Sequence, residues 1–91
     1  MINAIVLIHA EANRIPETAQ AVADIAGVSE VYSCAGDVDL IAIVKVRDHA
    51  QIAEVVTGAI NKVEGVVQTT THIAFRSYAS ADVEAAFSIG E

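Results

Sequence analysis

Cysteine, proline and tryptophan are nearly absent from this chain of 91 residues, which has one cysteine, one proline and no tryptophan. The single thiol, Cys34, excludes an internal disulfide and a zinc site built from several cysteines. A lone thiol is typical of a reducing cytoplasm, and we expect Cys34 to be a small buried side chain in a strand. A chain this short forms one domain whose stability depends on packing.

Long hydrophobic runs are missing as well, although hydrophobic residues make up 54% of the chain. No segment approaches the roughly 20 apolar residues that span a bilayer. The N-terminal apolar run lacks a basic start and is followed at once by His9, Glu11 and Asn13, which argues against a signal peptide. We therefore expect a soluble, cytoplasmic protein that does not contact a membrane.

Basic residues are few, because five Lys and Arg stand against twelve Asp and Glu, which gives a net charge of −7. Nucleic-acid phosphates are bound by clustered Lys and Arg. Here the basic residues are scattered at Arg14, Lys45, Arg47, Lys62 and Arg76. The sequence thus predicts no direct binding to DNA.

Motifs for catalysis or metal binding are also lacking. His9, His49 and His72 lie on different predicted elements, without the spacing of metal ligands. The sequence has no Gly-x-Ser-x-Gly motif and no glycine-rich phosphate loop, and the turn at 36–39 is too short for a calcium loop. We expect no metal, no cofactor and no catalytic residue.

Apolar segments and turn residues alternate along the chain in a pattern that predicts strand, helix, strand, strand, helix, strand. The strands are expected at 2–10, 28–35, 40–46 and 66–75, and the helices at 14–27 and 49–64. Asp48 and Gln51 form a capping-box pattern before the second helix, and Gly65 is placed to end it. Ser80 is expected to cap a further short helix at 81–87.

A weak internal repeat supports one fold class. Gly27-Val28 and Gly65-Val66 each follow a predicted helix and open a strand. Two split βαβ units of this kind predict an α+β, ferredoxin-like fold, with an antiparallel sheet and both helices on one face. The first and third strands then lie at the centre of the sheet.

Both central strands are apolar on both faces, which is unusual for a sheet covered by helices on one side. In the first strand, Val6 and Ile8 point to one face while Ile5 and Leu7 point to the other. Soluble monomers rarely expose an apolar patch of that size. We expect a second copy of the chain to cover the helix-free face, in an obligate dimer packed sheet to sheet.

Two polar features interrupt the apolar pattern, and each has two possible explanations. Asp37 and Asp39 lie in the turn between the second and third strands, either as ordinary turn residues or as ligand contacts. Thr69 and Thr71 share a strand face with Val67, Ile73 and Phe75, where their hydroxyls need partners such as a polar ligand. The alternative for the threonines is β-propensity on an edge strand.

These segments carry a family resemblance. "GVSEVYSCAGDVDLIAIVKV" and "GVVQTTTHIAF", in this order, resemble the effector (RAM) domain of the Lrp/AsnC, or feast/famine, transcription regulators. The resemblance implies a domain at 1–76 and a tail with a short helix at 77–91. It also implies a stand-alone form of the domain, because the helix-turn-helix usual in the family has no counterpart here.

The resemblance further implies dimers that pack through their sheets, rings of dimers, and amino acids or related metabolites bound between dimers. Asp39 would receive the ammonium group of an amino acid, and Val38 stands where the family often has an aromatic residue. The ligand-binding residues implied are Gly36, Asp37, Val38, Asp39, Thr69, Thr70 and Thr71.

The function expected on these grounds is non-enzymatic sensing of an amino acid, with oligomerisation and modulation of full-length Lrp/AsnC-type regulators. Cofactor-independent monooxygenases share the dimeric ferredoxin-like architecture, but their aromatic-lined pockets contrast with the 4% aromatic content here. An assembly scaffold without a ligand is the third possibility.

Overall fold

The computed structural model describes residues 1–80, in which two βαβ units follow one another along the chain. Its elements are β1 (Ile2–Ala10), α1 (Ile15–Ala23), β2 (Val28–Ser33), β3 (Leu40–Val46), α2 (His49–Val56) and β4 (Val66–Ile73). Short 3₁₀ turns at Ala12–Arg14 and Ile60–Lys62 precede α1 and follow α2. This order confirms the predicted ferredoxin-like fold.

The four strands form one antiparallel sheet in the order β2-β3-β1-β4, so the two apolar strands are central, as predicted. In the register of β1 with β3, Val6 lies opposite Ala42 and Ile8 lies opposite Leu40. These four side chains are fully buried. They pack against the apolar faces of α1 and α2, which contribute Val22, Ile52, Val55 and Val56 to the core.

The internal repeat of the sequence is a structural repeat. Gly27 and Gly65 have φ angles of 97° and 100°, and the carbonyl of each accepts a hydrogen bond, of 2.9 and 2.8 Å, from the adjacent chain segment. A Cβ atom at Gly65 would overlap Oγ1 of Thr18 on α1, and one at Gly27 would lie 2.8 Å from Cγ2 of Val55 on α2. Each glycine therefore lets the end of one unit pack against the helix of the other.

The second helix is shorter than its apolar pattern predicts, because it ends at Val56 and not before Gly65. A Cβ atom at Gly58 would lie 2.5 Å from the backbone oxygen of Glu54, so the chain leaves the helix where only glycine fits. The longer helix is predicted by apolar residues at helical spacing from Ile52 to Val63, and one of them, Ile60, lies in the 3₁₀ turn after α2 and is fully buried. The apolar residues predicted to lie on one helix thus reach the core from two elements, α2 and the 3₁₀ turn that follows it.

Other boundaries differ by a few residues, while the predicted start of α2 is confirmed. β2 ends at Ser33 and β4 at Ile73, two residues earlier than predicted, and α1 is confined to Ile15–Ala23. The N–H of Gln51 donates to Oδ1 of Asp48 at 3.0 Å, and the Gln51 side chain accepts from the N–H of Asp48 at 3.3 Å. This is the predicted capping box.

The helix predicted at 81–87 and most of the predicted tail lie outside the described residues. Of the helices within residues 1–80, none has the length and apolar character that a membrane crossing requires.

Candidate functional site

The loop between β2 and β3 is closed by its own backbone. The N–H of Cys34 donates to the carbonyl of Asp39 at 2.9 Å. Gly36 adopts a φ of 124° with no atom within 4 Å of where a Cβ would be, so glycine is needed there for backbone conformation and not for space. Gly36 and Asp37 are exposed, while Val38 and Asp39 are half-buried. The loop thus presents its tip to solvent and holds its base against the sheet.

Cys34 is not the buried strand residue that the sequence predicts. It follows the end of β2, is half-buried, and its Sγ lies 3.6 Å from the carbonyl of Tyr32. Because β2 ends at Ser33, Cys34 is the residue at which the chain turns into the loop.

Asp39 has a structural role that the sequence does not reveal. Its N–H donates to the carbonyl of Ile8 at 3.0 Å, and its Oδ2 atom accepts a hydrogen bond from the N–H of Ala10 at 2.9 Å. The register of β1 with β4 shifts between His9 and Ala10. Asp39 therefore ties the irregular end of β1 to the start of β3, and this contact uses one of its two carboxylate oxygens.

The threonine run is divided between the two faces of β4. Thr69 lies opposite Ile8 and Thr71 opposite Val6, so both point towards the helices, whereas Thr70 lies opposite Leu7 on the helix-free face. This alternation is the one predicted. The hydroxyl of Thr69 donates to Oδ1 of Asn61 at 2.7 Å, so it has a partner within the chain.

The loop and the first threonine meet at one end of the sheet. Asp39 bonds to the backbone of Ile8, and Thr69 is the register partner of the same residue. Because β3 and β4 flank β1, the backbones of Asp39 and Thr69 are about 10 Å apart, twice the spacing of neighbouring strands. Thr70 and Thr71 lie progressively farther from the loop. The predicted residues thus form a cluster around Asp39 and Thr69 with the other two threonines outside its centre.

Two clefts open at the opposite end of the sheet. One, of about 330 Å³, is lined by residues that include Gly27, Lys45 and Arg47. The other, of about 230 Å³, lies between Asn3 and residues 74–77. Neither includes a residue of the predicted ligand site.

The helix-free face of the sheet is apolar at its centre, as the sequence predicts. Ile5, Leu7, Ile41 and Ile43 form this centre, and 37% of Ile5 is exposed. At the β2 edge, Tyr32 is 52% exposed. In the described chain these side chains have no second layer of structure above them, because both helices pack on the opposite face.

Polar side chains border this apolar centre at the β2 edge. The hydroxyl of Tyr32 donates to Oε2 of Glu30 at 2.5 Å. This hydrogen bond and the negative charge of Glu30 raise the pKa of Tyr32 above its ordinary value of 10.0.

Comparison with known proteins agrees with the fold. TTHA0845 from Thermus thermophilus is 42% identical in sequence, and the match covers 88% of this chain and 100% of that protein with a TM-score of 0.82. AsnC from E. coli is 18% identical, with 87% of this chain and 54% of AsnC covered and a TM-score of 0.80. The transcriptional regulator NMB0573 from Neisseria meningitidis, solved as a complex with L-Met, is 15% identical, with 87% and 53% covered and a TM-score of 0.76. No curated protein sequence matches the chain significantly.

The family assignment rests on the extent of one match. The model of the Lrp/AsnC ligand binding domain matches residues 3–83, which span both βαβ units, the loop at 36–39 and the threonine run. The chain therefore belongs to the Lrp/AsnC ligand-binding domain family.

Proposed function

We propose that this domain is a non-enzymatic sensing module that binds an amino acid or a related small metabolite between subunits of a homo-oligomer. The match of the family's ligand-binding domain to residues 3–83 is the observation that carries the proposal. The L-Met complex of NMB0573, a protein of the same fold, supports an amino acid as the class of ligand. The module would assemble with full-length Lrp/AsnC-type regulators. In this way it would modulate their response to the metabolite.

The proposed site is the loop of Gly36, Asp37, Val38 and Asp39 together with the threonines of β4. A carboxylate offers about four lone-pair positions, so Asp39 can hold Ala10 and still accept from a ligand ammonium group. Charge-assisted hydrogen bonds of this kind are among the stronger contacts in proteins. Backbone N–H groups near Gly36 and the hydroxyls of Thr70 and Thr71 would donate to the ligand carboxylate. The Thr69 hydroxyl, whose proton is donated to Asn61, could accept from the ligand.

The exposure of the loop tip is a reason to place the ligand between subunits. Small-molecule sites usually bury most of the ligand in a concave pocket. Asp37 and the rest of the loop tip are exposed, and two clefts formed by described residues open at the other end of the sheet. A neighbouring subunit seated on the loop would supply the missing wall.

Thermal unfolding in the presence of single amino acids tests the proposal. A ligand that binds only the folded protein, at about one hundred times its dissociation constant, adds about 2.7 kcal/mol to stability. We expect one amino acid, or a small group of related ones, to raise Tm by several degrees at millimolar concentration. An unchanged Tm with every amino acid would reject amino-acid sensing and favour a ligand-free scaffold.

A further inference from the structure

Two polar side chains of the proposed site flank β1 at the same end of the sheet. Asp39 bonds through its backbone to Ile8, and Thr69 on β4 lies opposite that residue in the register. Asp39 and Thr69 are half-buried, and so is Ala10, which lies between them at the end of β1. A ligand bound by Asp39 can thus extend past the end of β1 towards Thr69.

The hydroxyl proton of Thr69 is already in use. Thr69 donates it to Oδ1 of Asn61, in the 3₁₀ turn at Ile60–Lys62, over 2.7 Å. A threonine hydroxyl has one proton and two acceptor lone pairs, so towards a ligand Thr69 can only accept. Thr71 points to the same face of β4, and its side chain makes no hydrogen bond within residues 1–80. The acceptor character of Thr69 is therefore set by Asn61 and not by the residue type.

Asp39 is an acceptor as well, because a carboxylate offers only lone pairs. Its Oδ2 atom accepts from the N–H of Ala10 at 2.9 Å, and its Oδ1 atom makes no hydrogen bond within residues 1–80. The backbones of Asp39 and Thr69 are about 10 Å apart, whereas two hydrogen bonds through one nitrogen span only about 6 Å. An ammonium group at Asp39 therefore leaves Thr69 in need of a second donor from the ligand.

The spacing of the two acceptors indicates where that second donor lies on the ligand. A hydrogen bond of about 3 Å at each end leaves about 4 Å between the two donor nitrogens. In asparagine and glutamine the ammonium nitrogen and the side-chain amide nitrogen are about 4–6 Å apart when the side chain is extended. A methionine side chain has no donor, and a glutamate side chain would bring a carboxylate to the lone pairs of Thr69.

We propose that Asn61 determines the specificity of the proposed site. By taking the proton of Thr69, it makes the site prefer an amino acid with N–H donors in its side chain over one with an apolar or anionic side chain. The inference rests on the proposed function, because it assigns a class of amino acid and a further residue to the same site. Asn61 acts through Thr69 and is a positioning residue. A site built to hydrogen-bond one group of a ligand discriminates against an analogue that leaves its own polar group unpaired.

Calorimetric titration with L-glutamine, L-glutamate and L-methionine, whose side chains are similar in length, tests the preference. We expect glutamine to bind at least about 10-fold more tightly than the other two, as one hydrogen bond implies. Methionine that binds as tightly as glutamine would overturn the inference and leave amino-acid sensing in place. Tighter binding of glutamate would show that the Asn61 amide donates to Thr69, and would overturn it too. Failure of every amino acid to bind would instead reject the proposed function, and this inference with it.

Two substitutions of Asn61, which is exposed, test its role. Asn61→Ala releases the proton of Thr69, so the advantage of glutamine over glutamate should fall to about 3-fold or less. Asn61→Asp keeps an acceptor for that proton and should retain the advantage. Gln68→Ala, at an exposed position next to Thr69 on β4, is the matched control and should leave both affinities unchanged. A merely structural role would lower both affinities together, so an unchanged ratio in Asn61→Ala would overturn the inference.

Discussion

Asp39 combines a structural contact with the proposed ligand contact, and these two roles can be separated at the level of the residue. Its Oδ2 atom accepts from the N–H of Ala10 at 2.9 Å, which requires an oxygen but no charge. A ligand ammonium group, in contrast, is attracted by the charge. An amide side chain keeps the first function and loses the second.

Asp39→Asn should leave the fold and oligomer nearly unchanged and weaken amino-acid binding by about 1.5–3 kcal/mol, the usual value for a hydrogen bond to a charged group. Asp37→Asn is the matched control and should have a much smaller effect, because Asp37 is an exposed turn residue that Asn replaces well. Calorimetric titration with the amino acid found by thermal screening measures both. Equal affinities for wild type and Asp39→Asn would restrict Asp39 to its structural role.

At the scale of elements, the two βαβ units depend on glycines that are required for different reasons. Gly65 has a φ of 100°, and a Cβ atom there would overlap Oγ1 of Thr18. Gly36 has a φ of 124° but nothing within 4 Å. The two positions therefore separate the cost of backbone conformation from the cost of crowding.

Gly36→Ala should lower the free energy of unfolding by about 1–3 kcal/mol, the cost of holding a non-glycine residue in a sparsely populated backbone region. Gly65→Ala should lower it by more, because Thr18 is fully buried and its hydroxyl donates to the carbonyl of Glu64 at 3.3 Å. Urea denaturation of both variants at one protomer concentration gives the comparison. If Gly65→Ala lowers the free energy of unfolding no more than Gly36→Ala does, the contact between Gly65 and Thr18 adapts to the added methyl group and is not tightly packed.

Local patterns predicted the elements well, and long-range geometry explains what they missed. The bounds of β1 and β3 and the capping box of Asp48 follow from side chains close in sequence. The early end of α2 depends on the backbone around Gly58, and the spacing of apolar residues gives no information about it. The bond between Asp39 and Ala10 joins residues 29 positions apart, and it depends on a register shift that no local pattern specifies.

At the scale of the whole molecule, the decisive property is a sheet with two apolar faces that, within residues 1–80, carries helices on only one of them. The helix face buries the core, whereas Ile5 on the other face is 37% exposed. Burial of apolar area is the main favourable term in protein association. A second copy of the chain is therefore expected to complete the fold as well as the proposed ligand site.

Leu7→Lys tests this directly, because Leu7 is half-buried at the centre of the open face, opposite Ile41 and Thr70. An uncompensated charge buried in the interface costs about 3–5 kcal/mol, which weakens the dimer about 10²–10⁴-fold. We expect sedimentation to show a monomer at concentrations where wild type is associated. Amino-acid binding should fall with it, because the proposed site lies between subunits. Ala53→Lys, on the exposed surface of α2, is the control and should keep both properties. A Leu7→Lys protein that associates as wild type does would show that the open face is not the interface.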